Sequence, residues 1–179
     1  MLKHLGAVVV ASALLLSTAT MAQAEQISFE NAVGDKKAPG LDIVKASISN
    51  RDRAVVAKVT FRKDRRGVVS IGIMRRNKLW AAMDTKHRLS GPDSNYIRIG
   101  SAGNVRRVEC DGLTSDWNRR KALLRMRMPA ECLGGGNYGA IKSYVLAERW
   151  DEEKTDTDWA PRSKTKSAPF RFTRWISRG

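Results

Sequence analysis

Four aspartates combine residue type and spacing in a way that suits a hard cation. Gly34-Asp35, Leu41-Asp42-Ile43 and, far downstream, Asp156-Thr157-Asp158-Trp159-Ala160-Pro161 set carboxylates beside glycine, proline and strand-like segments. Calcium sites gather several carboxylate and carbonyl oxygens from loops of this kind. Asp35, Asp42, Asp156 and Asp158 are therefore the candidate ligands of a structural calcium ion, the one cofactor the sequence suggests. The competing account is turn chemistry, in which aspartate beside glycine or proline organises the backbone and Asp42 caps the loop before the first strand.

Other reactive constellations are weaker. Glu109, Asp111 and Asp116 are close in sequence, but a glycosidase-type carboxylate pair is defined by its separation across a cleft, which spacing does not give. His87, in Asp84-Thr85-Lys86-His87-Arg88, reads as a surface residue rather than a base. Gly134, Gly136 and Gly139 match G-x-G-x-x-G, a motif that needs a strand before it and a helix after it. The following segment, Ala140 to Glu148, reads as a strand, so the glycines read as a turn. The chain has no phosphate-cradling Walker loop, H-E-x-x-H, G-x-S-x-G or C-x-x-C motif. The expectation is a protein that is not an enzyme and has no catalytic residue.

The elements that would carry such residues are strands. Along Ala54 to Arg62, Val55, Ala57, Val59 and Phe61 alternate with Val56, Lys58, Thr60 and Arg62, the period of a half-buried strand. Ala122 to Met128 repeats it, with Leu124, Met126 and Met128 opposite Leu123, Arg125 and Arg127. Leu41 to Ser49, Gly67 to Met74, Leu79 to Met83, Tyr96 to Ile99, Val105 to Cys110, Ala140 to Glu148 and Phe170 to Trp175 bring the expectation to about nine strands. Turn-forming clusters separate them, as at Asp64-Arg65-Arg66-Gly67 and Gly134-Gly135-Gly136-Asn137. An all-β antiparallel sandwich, jelly-roll-like, follows first, and a closed barrel second. Phe170, Phe172 and Trp175 are too apolar for a free terminus and predict a C-terminus docked on a sheet.

The first 24 residues read as a secretory signal peptide. Lys3 and His4 precede the apolar run Ala7 to Leu16, and Met21-Ala22-Gln23-Ala24 supplies the small-residue end. The apolar run is too short for a transmembrane anchor. One secreted domain over residues 25–179 is expected, 155 of the 179 residues. Export implies an oxidising compartment, so Cys110 and Cys132, the only two cysteines, are expected to form a disulfide with Trp117 packed nearby.

The charge is the other strong signal. Without Lys3, 32 Lys and Arg residues face 18 Asp and Glu, a net charge of +14. Outside a cell that favours polyanionic neighbours, although Lys and Arg also simply solvate a sheet whose apolar surface their stems cover. Lys58, Arg62, Arg98, Arg125 and Arg127 sit at alternate strand positions opposite the expected core face, and are the candidate polyanion-binding residues.

The order GD, LDI, SISN, the two cysteines, GGNYGAIKSYVLAER and DTDWAP resembles small secreted β-sandwich proteins of actinobacteria, over most of residues 30 to 161. That group carries no assigned activity. The opening GD and LDI before an alternating strand is also loosely similar to DOMON-like and carbohydrate-binding-module-type sandwiches. This second likeness implies a jelly-roll-like sandwich and glycan or small-ligand binding, and no sugar-contacting residue carries over. The leading expectation is a secreted, non-catalytic domain associating with anionic cell-wall polymer or polysaccharide, with no specific nucleic-acid partner. The alternatives are an exported hydrolase using a carboxylate pair and a secreted inhibitor or protein-partner module.

Overall fold

The computed structural model describes residues 24–31, 40–88, 90, 92–101, 104–150, 155–162 and 171–179. Eleven strands follow one another: β1 (Glu25–Glu30), β2 (Ile43–Arg51), β3 (Ala54–Phe61), β4 (Gly67–Arg75), β5 (Trp80–His87), β6 (Ser94–Ser101), β7 (Asn104–Val108), β8 (Thr114–Asn118), β9 (Leu123–Pro129), β10 (Ile141–Trp150) and β11 (Thr155–Ala160). They form a five-stranded sheet, β1-β2-β3-β9-β8, and a six-stranded sheet, β11-β10-β4-β5-β6-β7. All pairings are antiparallel. The chain crosses between sheets after β3, after β7 and after β9. The result is a β-sandwich, with no closed barrel. Among the described residues no helix is long and apolar enough to cross a membrane.

Period-two alternation builds the interlayer core. Ala46, Ile48, Val55, Ala57, Val59, Phe61, Leu124, Met126 and Met128 of the five-stranded sheet are buried against Val69, Ile71, Ile73, Ala81, Met83, Ile97, Val145 and Ala147 of the other. Two sheets stacked this way enclose a layer about 10 Å thick, which branched and thioether side chains fill from both sides.

Eight of the nine expected strands are present, and β1, β8 and β11 join them. Residues 171–175 are not a strand. The last described residues instead form an extended strap beside the start of β10. Thr173 N–H donates to the Ser143 carbonyl at 2.8 Å, and Ile176 and Ile141 exchange both backbone bonds. The strap takes the edge that β11 leaves vacant, because β11 pairs with β10 only from Val145 onward. Ile176 is fully buried and Gly179 N–H reaches the Asn50 carbonyl. The C-terminus is therefore docked, as its aromatic residues require; Phe170 lies outside the described residues.

The disulfide is formed. Cys110, after β7, joins Cys132, after β9, with Cα atoms 5.7 Å apart and a sequence separation of 22. It ties an edge of the six-stranded sheet to the exit of the five-stranded one. Trp117 packs against Phe61 and His87, with ring centroids 5.5 and 3.9 Å away. Replacing both cysteines with alanine is expected to lower the unfolding free energy by about 3 kcal/mol, the loop-closure value for a ring of this size. Urea midpoints of the oxidised protein and the double variant measure it, and coincident midpoints would remove the bridge from the stability account.

Candidate functional site

The cationic residues are divided between the two sheets. Lys58 on β3 stands directly opposite Arg125 on β9, and Val56 opposite Arg127. All three cations lie on the solvent side of the five-stranded sheet, with Lys58 and Arg125 exposed. Ser47 on β2 faces Lys58 and Ser28 on β1 faces Ser47, so this row is otherwise short and polar. Asp116 stands across from Arg125 on β8, yet among the described residues neither Lys58, Arg125 nor Arg127 forms an ion pair. Arg62 is exposed just past the end of β3.

Arg98 does not belong to that surface. It lies on β6, on the outer side of the six-stranded sheet, opposite Ala82. Alternation predicts correctly that Arg98 points away from the core, but which sheet receives a strand is decided by non-local pairing. Its Nε and Nη2 bind Asp84 Oδ2 and Oδ1 at 2.7 and 2.8 Å, and Nη2 also reaches Ser70 Oγ at 3.4 Å. Asp84 has no solvent exposure and also takes a hydrogen bond from the Ser70 hydroxyl. The charged hydrogen bonds to Asp84 hold the Arg98 guanidinium above its ordinary range, with burial opposing them.

An aromatic layer surrounds this pair. Gly72 faces Tyr144 across β4 and β10, and a Cβ on Gly72 would lie 2.1 Å from the tyrosine ring. The missing side chain lets the Tyr144 ring lie down on the sheet. The Trp80 ring lies 5.4 Å from the Arg98 guanidinium carbon, and Arg107 lies 4.4 Å over Tyr96. Trp159 and Phe172 pack on Tyr144 at 5.6 and 5.2 Å. Burial pushes the Tyr144 and Tyr96 hydroxyls up in pKa. Glu148, outward on β10, is half-buried and makes no hydrogen bond or ion pair among the described residues. Burial raises its carboxyl above the usual range, with Arg98 pulling the other way.

The aspartates proposed for calcium are drawn to one end of the sandwich. Asp158 Oδ2 accepts from Ile43 N–H at 2.7 Å, its Oδ1 accepts from Trp159 N–H, and Asn31 donates to both oxygens. Asp156 accepts from Gly40 N–H at 3.1 Å. Asp42 is buried and its carbonyl accepts from Arg62 N–H at 2.9 Å, and Asp35 lies outside the described residues. The Asp156 and Asp158 oxygens thus hold the turn into β2, the capping role, and among the described residues no three His, Cys, Asp or Glu side chains are grouped to hold a metal.

His87 is buried rather than on the surface. β5 continues through the polar stretch, so Asp84 turns outward and Thr85 and His87 turn toward the other sheet. Its Nε2 lies 2.8 Å from Asp64 and its Nδ1 3.0 Å from Asp93, with Trp117 stacked on the ring. Both nitrogens are engaged, so neither is open to a substrate. Glu109, Asp111 and Asp116 are exposed. The glycines at 134, 136 and 139 all have positive φ and precede a strand, as a turn requires. The pattern that could have revealed the aromatic layer is the alternation itself, since Trp80, Asp84, Tyr96, Tyr144 and Glu148 all sit one residue away from core-facing positions.

Comparison with protein-family models, with curated proteins and with solved structures returned no match.

Replacing Arg98 with methionine leaves Asp84 buried beside a single hydroxyl, and is expected to destabilise the protein by roughly 3 kcal/mol. Adding Asp84→Asn should recover much of the loss in chemical denaturation; an additive double variant would show that the two side chains do not act as a pair. For Glu148 the sign runs the other way. A folded-state pKa above the unfolded one stabilises the protonated form, so that contribution is present at low pH and lost as pH rises through the folded value. Glu148→Gln is therefore expected to raise Tm at pH 7 by on the order of 1 °C. The gain should vanish below about pH 4, where the glutamate is neutral in both states. Thermal melts across that range check it.

Proposed function

We propose that this protein is a secreted, non-catalytic binding domain that associates with anionic polymers of the cell envelope or the extracellular space. The observation that supports this best is the direct opposition of Lys58 and Arg125, with Arg127 beside them, on an outward sheet face where they form no ion pair among the described residues. Like charges directly opposite one another destabilise a sheet. A polyanion laid across the face turns that repulsion into attraction and releases the counterions that both partners had condensed. The short side chains of Ser28, Ser47 and Ser49 leave the face flat enough for an extended chain to reach the cations. The net positive charge of the whole domain adds long-range attraction, which speeds encounter without choosing a sequence or a shape.

The export signal read at residues 1–24 supports this reading, because a secreted domain would meet such polymers. Polymer contact of this kind needs no reacting group, and the exposed carboxylates at 109, 111 and 116 are not needed for it.

Retention on immobilised heparin and on teichoic-acid-bearing wall material tests the reading. With about three anionic contacts, affinity should fall roughly 20- to 40-fold between about 50 and 200 mM salt. The triple variant Lys58→Glu, Arg125→Glu, Arg127→Glu should lose that retention and its salt dependence. Arg98 is left intact, because changing it would unpair Asp84 and confuse unfolding with lost binding. Wild-type retention by the triple variant would end the proposal.

A further inference from the structure

One end of the six-stranded sheet carries a row of side chains suited to a partner other than a soluble polymer, and none of them belongs to the cationic face of the other sheet. We propose that this end docks on an anionic lipid surface, with Leu79 and Val105 entering the acyl boundary and Arg76, Lys78 and Lys142 meeting lipid phosphates.

Strand register assembles the row. Lys142 stands beside Met74, Met74 beside Trp80, Trp80 beside Gly100 and Gly100 beside Val105. The bridge between Ile141 and Ile176 adds Trp175 next to Lys142. These positions point outward, because Ile73, Ala81, Ile141 and Ile176 beside them in sequence are buried in the core. Five steps between strands, at about 4.8 Å each, make the row roughly 24 Å long. The β4–β5 hairpin continues from it, closed by a hydrogen bond from Arg75 N–H to the Leu79 carbonyl, and exposes Arg76, Lys78 and Leu79. Leu79, 37% exposed, and Val105, 49% exposed, are the only exposed large hydrophobic side chains among the described residues, and both lie at this end. Trp80 and Trp175 are half-buried between them.

The charge of the segments that meet here has one sign. Residues 74–83, 94–108, 132–147 and 171–179 contain ten Lys and Arg and no Asp or Glu. Asp84, Glu25 and Asp52 come from outside these segments and answer Arg98, Arg174 and Arg178. Arg76 and Lys142 instead share the Trp175 ring, each 5.0 Å from its centroid, and with Lys78 they form no ion pair among the described residues. Cations beside tryptophan and exposed aliphatic groups match the layers of a lipid interface. Phosphates take the cations, indole rings sit at headgroup level, and aliphatic groups leave water. A hydrophilic polyanion would answer the cations and leave Leu79 and Val105 wet. The hairpin adds an independent sign: Lys78 holds φ at 61°, where glycine fits freely and a lysine is strained. Its N–H closes the turn on the Arg75 carbonyl at 3.1 Å, a bond glycine would make equally well, so the turn itself has no use for the lysine side chain.

Vesicle flotation tests the proposal, using protein recovered from an exporting host and freed of the leader read at residues 1–24, whose apolar run would itself bind lipid. The probes are vesicles of phosphatidylglycerol mixed equally with phosphatidylcholine, and of phosphatidylcholine alone. Binding to the anionic vesicles only is expected, with tryptophan fluorescence quenched when their acyl chains are brominated. The Lys58, Arg125, Arg127 triple variant should still bind and still be quenched, so this docking and the polyanion reading succeed or fail separately. Arg76→Gln with Lys78→Gly should lose roughly 20-fold in affinity, at about fivefold per cation. Lys78→Gly alone should melt close to wild type, which keeps lost binding distinct from lost fold. Leu79→Ser with Val105→Ser should lose at least about fivefold in affinity and reduce the quenching. Equal binding to neutral vesicles, no binding to anionic ones, binding without quenching, or wild-type affinity in both double variants would overturn the proposal. Retention of a single-stranded oligonucleotide by a protein that ignores the vesicles would overturn it too, and would assign these cations to nucleic acid.

Discussion

A carboxylate without solvent fixes the middle of this molecule. Asp84 is fully buried on the outer side of the six-stranded sheet, and among the described residues Ser70 on β4 and Arg98 on β6 are its side-chain partners. Both partners come from the strands flanking β5. Sliding β5 by one residue would turn Asp84 into the interlayer core and Met83 out of it, stranding a charge and exposing an apolar side chain together. The register of the three central strands is thus held by one ion on one face and by Ile71, Met83 and Ile97 on the other. Removing either constraint would leave the alternatives much closer in energy.

That register places the rest. With Asp84 outward, Thr85 and His87 must turn inward, and they meet the five-stranded sheet through Ser115 and Trp117. The ring of His87 then holds Asp64 and Asp93 on either side, gathering the chain before β4 and the chain after β5. At the other end, Asn50 donates to the carbonyls of Gly139 and Ile176, and the C-terminal strap closes over β10. Glu25 at the start of β1 accepts from Arg174 and from Ser177 N–H, bonds that hold its carboxylate below the usual range. Polar side chains therefore close both ends of a sandwich whose middle is apolar.

The strands with a clean apolar alternation were legible in the sequence: β3 and β9 show it without interruption, and their outward Lys58, Arg125 and Arg127 are outward in the fold. β8, Thr-Ser-Asp-Trp-Asn, was not, because only Ser115 and Trp117 face inward and pairing with β9 supplies the rest of its reason to be extended. β11 was hidden for the same cause, with Asp156 and Asp158 turned inward to cap β2. The polar end of β5 misled most. Asp-Thr-Lys-His looks solvated until partners from β4, β6, β8 and the neighbouring loops are known, and those partners lie 6 to 30 residues away. The disulfide needed only an even cysteine count and the expectation of an oxidising compartment, whereas the alternation turns the aromatic residues outward but only the order of strands brings them together.

The same distinction governs the charge. Arg98 is counterbalanced by Asp84, Arg107 lies on Tyr96, Arg76 and Lys142 approach the Trp175 ring from 5.0 Å each, and Arg178 lies on Tyr138. These cations cover rings or answer a carboxylate, and their stems complete the packing of surfaces that would otherwise be wet. Among the described residues Lys58, Arg125 and Arg127 form no ion pair and lie over no ring, although Asp116 stands across from Arg125. A sum over the composition weights both groups alike, but the field available to an approaching polymer comes mainly from cations whose nearest counter-charge is solvent. The two sheet faces of one small domain therefore differ in electrostatics: one carries Lys58, Arg125 and Arg127 without an ion pair among the described residues, and the other carries the compensated Arg98–Asp84 pair set among aromatic rings. The interlayer core separates them, and at physiological ionic strength the Debye length of about 8 Å is shorter than that separation, so the solvent-exposed charges of one face are largely screened from the other.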